Sequence, residues 1–396
     1  MKIDELFREM ITRESSDLHL KVGRPPLMRL QGELLPTEYD VLTSEGLRDL
    51  VYPLLRPDQV QTFEHDLELD FAHTIAGQAR YRVNLFHQRG ELGMVCRMIP
   101  LRVPTISEMN LPDTFKEVAL RRQGLILVTG PTGSGKSTSM AAMVQHINEN
   151  QYRHVVTLED PIEFVHTDLN STINQRELGL DTRSLDEALK HVLRQDPDVI
   201  LIGEMRDPST METAMRAAET GHLVLSTLHT NDAKQSMDRI LDSFSGGVQG
   251  QVRTLLSLTL LAVFCQRLVG RADGAGRVAA VEIMVNSPAV AKLLAEGHTR
   301  DLEQTIAKST GYYGMRTFNQ ALCQLVVDGV ITPESALANS SSPSDLHLML
   351  KGIGSGSSAI DTLSSERETP LPDVETVQEE EEAAGSKMHV DRGFEF

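Results

Sequence analysis

The chain has 396 residues, of which 40% are hydrophobic, enough for two domains and a tail in a soluble globular protein. Its formal net charge of −18, with no tryptophan, six tyrosines and eleven phenylalanines, argues against a surface that grips nucleic acid through phosphates and stacked bases. The three cysteines, Cys96, Cys265 and Cys323, are far apart and form no C-x-x-C pair, so they read as buried thiols in a reducing cytoplasm, not as a zinc site or disulfide framework.

The N-terminal stretch MKIDELFREMITRESS is charged throughout and lacks the apolar run of a secretory signal. It places Ile3, Leu6, Phe7, Met10 and Ile11 at helical spacing, and SDLHLKV then alternates Leu18, Leu20 and Val22 like a half-buried strand. GRPPLMRLQGEL and ARYRVNLFHQRGELGMVCRMI add strand-like runs broken by Gly and Pro, so residues 1–100 read as a small α+β domain. Residues 101–112, within the proline-punctuated PLRVPTISEMNLP, fit a linker.

Over residues 113–352 strands alternate with helices: GLILVTG, HVVTLED, DVILIGE and GHLVLSTLH are apolar runs of the kind found in a parallel sheet covered on both faces. The expected class is α/β. The most apolar later run, Leu255 to Phe264, is about half a membrane span. Residues 353–396 are rich in Ser, Gly and Glu with few large apolar side chains, the composition of an acidic disordered tail.

Between the strand Ile126-Leu127-Val128-Thr129 and a helix-forming stretch lies GPTGSGKS, a complete G-x-x-x-x-G-K-S motif. Gly130, Gly133 and Gly135 let the backbone turn tightly with its N–H groups inward, at a helix N-terminus that favours negative charge. Gly130, Pro131, Thr132, Gly133, Ser134, Gly135, Lys136, Ser137 and Thr138 are therefore the expected nucleotide cradle, Lys136 reaching the terminal phosphates and the Ser137 hydroxyl ligating Mg²⁺. Polar residues at the other strand ends converge on the same sheet edge, where open α/β sheets place ligands. EDPIEF supplies Glu159, Asp160 and Glu163. After VILI comes Glu204, placed to hold the metal although Gly203, not Asp, precedes it; His222 and His229 frame the strand LVLSTL. Hydrolysis of a γ-phosphate needs an oriented water, Mg²⁺ and added positive charge. Glu163 is the candidate to polarise the water, Glu204 to hold the metal and His229 to sense the γ-phosphate. Arg80, Arg82 and Arg97, on strands of the first domain, read ordinarily as salt-bridged or solvated; they become fingers in trans if a neighbouring subunit lays that domain over the nucleotide. No N-K-x-D signature of guanine specificity is present.

The ordered series SDLHL, ARYRVN, GPTGSGKSTSMAAM, TLEDPIEFVH, NQRELGLDT, ALKHVLRQDPDVILIGEMRDPSTMETAMRAAETGHLVLSTLHTNDA and GMRTFNQAL resembles the type IV pilus retraction ATPases, the PilT/PilU group of the secretion ATPase superfamily, over residues 1–350. The resemblance implies a PAS-like first domain and a RecA-like ATPase domain. It further implies a cytoplasmic homo-hexamer using ATP and Mg²⁺ at the cytoplasmic face of the inner membrane, with a membrane platform protein and a second retraction ATPase as partners and no nucleic acid. By it Lys136 and Ser137 are the Walker A pair, Glu159, Asp160 and Glu163 the Asp box with Glu163 the catalytic carboxylate, Glu204 the Walker B acid, and His222 and His229 the His-box pair. The chain departs from the extension and secretion relatives in lacking a four-cysteine insertion and a longer N-terminal region. It departs from the retraction motors at Ala289 to Glu296, where Ala291 and Ala295 stand at the two arginines of a motif close to A-I-R-N-L-I-R-E. A PilU-like accessory motor dependent on a second ATPase is the alternative. A non-enzymatic ring subunit that binds ATP and serves as a structural or regulatory partner, or a P-loop protein of another class such as a recombinase, helicase or small-molecule kinase, stands further off.

Overall fold

A computed structural model describes residues 2–30, 32–75, 79–99 and 102–352; the expected acidic tail and Leu101 of the expected linker lie outside the described residues. The chain divides into two compact units. The first comprises Met1–Val103 together with Asp160–Thr167 and Gln175–Arg183, and the second comprises Pro104–Glu159, Asp168–Asn174 and Ser184–Phe396. Two stretches that a linear reading assigns to the ATPase domain thus pack with the first unit.

The first unit runs α1 (Ile3–Thr12), β1 (Asp17–Lys21), β2 (Leu27–Leu30), β3 (Glu33–Pro36), α2 (Ser44–Val51), α3 (Pro57–Asp66), β4 (Glu68–Ile75), β5 (Ala79–Gln88) and β6 (Glu91–Ile99). Its strands form one sheet in the order β3-β2-β1-β6-β5-β4, each antiparallel to its neighbours. Period-two alternation decides which face is dry. Leu18, Leu20, Met28, Tyr81, Val83, Leu85, Met94 and Cys96 are buried with Leu6, Phe7 and Met10 of α1 and Phe63 of α3. The Tyr81 hydroxyl donates to the Phe7 carbonyl oxygen at 2.8 Å, giving this ring's polar tip a partner within the core. On the other face a single cross-strand row carries Arg29, Asp17, Arg97 and Arg82 on β2, β1, β6 and β5.

The second unit continues with α4 (Thr114–Ala119), β7 (Gly124–Thr129), α5 (Lys136–Asn150), β8 (His154–Glu159), β9 (Thr172–Glu177), α6 (Leu185–Val192), β10 (Val199–Ile202), α7 (Pro208–Glu219), β11 (Leu223–Leu228), α8 (Ala233–Asp242), α9 (Gln249–Thr259), β12 (Leu260–Gly270), β13 (Arg277–Val285), α10 (Pro288–Glu296), α11 (Leu302–Lys308), α12 (Phe318–Val327), α13 (Pro333–Asn339) and α14 (Pro343–Leu350). Its sheet has the order β13-β12-β7-β11-β10-β8-β9. Strands β12, β7, β11, β10 and β8 are parallel, and β13 closes one side antiparallel to β12. Every residue of β7, β10 and β11 is buried, as expected for strands covered on both faces. The apolar run from Leu255 to Phe264 is the end of α9 and the start of β12, and among the described residues no helix is long and apolar enough to cross a membrane.

Candidate nucleotide site

Register builds the site. Thr129 of β7 is level with Leu228 of β11 and Cys265 of β12, while Ile202 of β10 is level with Ser226 of β11 and Leu158 of β8. The parallel strands therefore bring to one edge Gly130, His229 and Gly203-Glu204, which follow β7, β11 and β10, together with Glu159, the last residue of β8, and Gln266, which lies within β12 just past the level of Thr129. This is the carboxyl edge at which open α/β sheets bind ligands.

The loop after β7 has the shape of a phosphate cradle. Gly130, Gly133 and Gly135 have φ of 143°, 77° and 89°, a region that side chains other than glycine rarely adopt. At Gly130 space forbids a side chain as well: a Cβ would stand 2.3 Å from the Gln266 carbonyl oxygen and 2.6 Å from Ser134 Oγ. Lys136 is only 9% exposed, and its Nζ donates to the carbonyl oxygens of Gly130 at 2.8 Å and Pro131 at 3.1 Å, so the cation is held within the curl of the loop. Ser134 Oγ is buried without a hydrogen-bond partner, and Gly135, which precedes α5, gives that helix no side-chain cap. An unmet hydroxyl, an uncapped helix start and an inward lysine are together suited to polyphosphate oxygens.

Glu204 is held at the same edge. The Gly203 N–H donates to the Leu158 carbonyl oxygen at 2.8 Å, Thr227 Oγ1 donates to the Gly203 carbonyl oxygen at 2.6 Å, and the Met205 N–H donates to the Thr227 carbonyl oxygen at 3.2 Å. This stitching continues β10 past its last strand residue and fixes the backbone on either side of the acid. One carboxylate oxygen, Glu204 Oε2, lies 3.3 Å from His229 Nε2 and accepts from Arg206 Nε at 2.9 Å. Glu159 Oε1, one strand over, accepts from Thr157 Oγ1 at 2.6 Å.

The structure thus brings Lys136, Glu204 and His229 to one edge of one sheet and separates His222 from them. His222 precedes β11, where its carbonyl oxygen accepts from the Gly124 N–H at the start of β7, and its Nδ1 lies 2.9 Å from the Ala217 carbonyl oxygen. Two histidines framing a six-residue strand stand at opposite ends of it, roughly 20 Å apart at about 3.3 Å per residue. Within its own subunit His222 is a helix-to-strand connector, which corrects the reading that both histidines face the nucleotide.

Glu163 is exposed and belongs to Asp160–Thr167, which groups with the first unit. Arg82 and Arg97 are exposed and directly opposite each other on β5 and β6. Arg97 Nε donates to Asp17 Oδ1 at 2.8 Å, whereas Arg80, one turn of the pleat away on the same face, pairs with Glu177 Oε2 at 3.4 Å within the first unit. Arg80 is thereby engaged structurally. Sequence reasoning missed Arg206 and Gln266. Arg206 had a signal, a cation two residues beyond the Walker B acid in GEMRDP; Gln266 had none, because only the pairing of β12 with β7 carries it to the loop.

Fold and site define a RecA-like P-loop ATPase carrying a smaller PAS-like α+β domain. A family model described as Type II/IV secretion system protein matches residues 105–339, and the chain belongs to that family, in its branch of type IV pilus retraction ATPases. It is 44% identical over 365 residues to the type IV pilus ATPase PilU of Pseudomonas aeruginosa, covering 92% of this chain and 95% of that one. It is 43% identical over 336 residues to the type IV pilus retraction ATPase PilT of the same organism, covering 85% and 97%. Among solved structures, a crystal structure of the pilus retraction motor PilT with bound ADP superposes with a TM-score of 0.83 at 41% identity, covering 88% of this chain and 99% of that one.

Proposed function

We propose that this ATPase works as a homo-hexameric ring at the cytoplasmic face of the inner membrane, hydrolysing ATP with Mg²⁺ to withdraw type IV pili against a membrane platform protein. The observation that carries the reading is the shared strand edge at which Lys136, Glu204 and His229 meet, in a chain nearly half identical to PilT and PilU over most of its length. The Ser137 hydroxyl and the Glu204 carboxylate would hold the metal, which supplies charge neutralisation on the phosphates. His229, against Glu204, would report the γ-phosphate to that carboxylate. Glu163 would polarise the attacking water. Positive charge for the transition state would come from Arg82 and Arg97 of a neighbouring subunit: both are exposed, and Arg97, whose Nε is bonded to Asp17, keeps further N–H donors on its guanidinium.

Deleting the gene tests the reading: pili should accumulate on the cell surface while twitching stops, and disappearance of pili would point to assembly instead. A second reading, an accessory motor that adds force to a full retraction ring, is favoured by α10, which carries alanine at 291 and 295 and presents Lys292 as its only cation.

A further inference from the structure

Glu282 stands on β13 opposite Cys265 of β12 and is 6% exposed. Its carboxylate is satisfied by backbone: Oε1 accepts from the Ala233 N–H at 2.8 Å and Oε2 from the Phe318 N–H at 3.3 Å. These are the first residues of α8 and α12, so one buried acid joins the amino ends of two helices, where their dipoles favour negative charge.

Each helix leads somewhere useful. On the α8 side, Ser236 Oγ lies 2.7 Å from Thr230 Oγ1 and 3.5 Å from Thr129 Oγ1, the residue before the phosphate loop. Thr230 directly follows His229, so the seating of α8 determines where His229 meets Glu204. On the α12 side, Gln320 Nε2 donates to the Ala307 carbonyl oxygen of α11 at 3.2 Å. Arg267 lies 4.3 Å over the Phe318 ring while its Nη1 donates to the Asn339 carbonyl oxygen of α13 at 2.9 Å. The amino end of α12 is therefore tied to the C-terminal helices.

We propose that Glu282 is a positioning residue of the ATPase site, holding the turn from His229 to Asp232 against Glu204 and passing displacements of α11, α12 and α13 to His229. The proposal rests on the reading that His229 takes part in hydrolysis. A carboxylate suits the task because both its oxygens accept, whereas glutamine has one acceptor and would leave an amide unmet. Burial pushes the Glu282 carboxyl up to about 7, with Asp232 at the α8 cap and Glu303 on α11 acting in the same direction and the two amides opposing. The other groups around it are the Cys265 thiol, itself raised by burial, and Arg316, whose Nε donates to the Val281 carbonyl oxygen. Protonation weakens one of the two acceptors and loosens one helix. The tie is therefore complete above about pH 7 and relaxed below it. A raised pKa also means that the folded chain keeps this proton longer than the unfolded one, so stability from this group falls as pH rises from the ordinary carboxylate range to about 7. Activity and stability move in opposite directions across that window.

The test is a double-mutant cycle on the full chain with turnover measured from pH 6 to 8. Glu282→Gln is expected to lower kcat about tenfold at pH 8 with little change in KM for ATP, and to flatten the rise of kcat with pH. Ala233→Pro, which removes the donated N–H at a helix position that accepts proline, should reproduce the loss if Glu282→Gln fails to fold. In a His229→Asn background, adding either change should alter kcat by less than about twofold, because the path through His229 is already cut. Losses that multiply in the double variant would overturn the role given to Glu282 while leaving His229 catalytic. Wild-type turnover in His229→Asn alone would overturn both.

Discussion

Lys136, Gly130 and Glu163 show three degrees to which a residue's task can be read from its neighbours in sequence. Lys136 is defined by an eight-residue word, and its folded position, curled onto the carbonyl oxygens of Gly130 and Pro131, follows from glycine geometry within that word. Lys136→Ala should weaken nucleotide binding, measured by the fluorescence of a labelled ATP analogue. Gly130→Ala should do the same for a different reason. Its Cβ would meet the Gln266 carbonyl oxygen at 2.3 Å in a φ of 143°, at a cost of about 1–3 kcal/mol in thermal stability and a distorted loop. Glu163→Gln keeps shape and loses the charge that polarises water, so ATP should still bind while turnover drops by roughly 10² or more. Near-normal turnover would remove Glu163 from the mechanism.

At the scale of elements, α10 is specified locally. Ser287 caps it by accepting from the Val290 N–H, Pro288 begins it, Gly297 ends it at φ 79°, and Val290 and Leu294 face the core. Ala291 and Ala295 preserve this helix, since alanine is the best helix former, but remove two long cationic arms. In a strain with no other retraction ATPase the protein should retract pili weakly, and Ala291→Arg with Ala295→Arg should raise retraction frequency. Vigorous retraction by the unmodified chain would make it a primary motor. The sheet of the first unit carries a second element-scale expectation. Burial of Asp17 acts to raise its carboxyl, but hydrogen bonds from Arg97 and Ser16 and the nearby charges of Arg97 and Arg29 outweigh this and hold it below the ordinary range. A depressed carboxyl contributes stability above the unfolded-chain value that is lost as pH falls through the lower, folded one. The difference in thermal midpoint between the wild type and Asp17→Asn should therefore be largest near neutral pH and shrink below about pH 4.

For the whole molecule, the expectation is that Arg82 and Arg97 act across a subunit boundary. Rings mixed from Arg82→Ala and Lys136→Ala subunits, each inactive alone, should regain part of the ATPase activity, because some boundaries then bring an intact loop and an intact arginine together. No recovery at any ratio, in rings shown to be mixed, would exclude action in trans. Arg80 should behave differently from Arg82, since its pairing with Glu177 already occupies it within the first unit.

The division between what was legible in sequence and what was not follows the range of the interactions. The phosphate loop, the apolar strands around it and the alternation of Leu18, Leu20 and Val22 depend on steric rules and periodicities acting over a few residues, and these could be read directly. Three features required the folded chain. His222 and His229 flank the same strand, but a parallel strand carries its two ends to opposite edges of the sheet, and only His229 meets Glu204. The stretch Asp160–Thr167, contiguous with β8, packs with the first unit because its contacts are made across long sequence separations that no local pattern encodes. Glu282 is one acid in the apolar strand RVAAVEIMV, and it is the junction of α8 and α12 only because β13 lies beside β12 and two helix amino ends, 85 residues apart in the chain, are brought to its two oxygens.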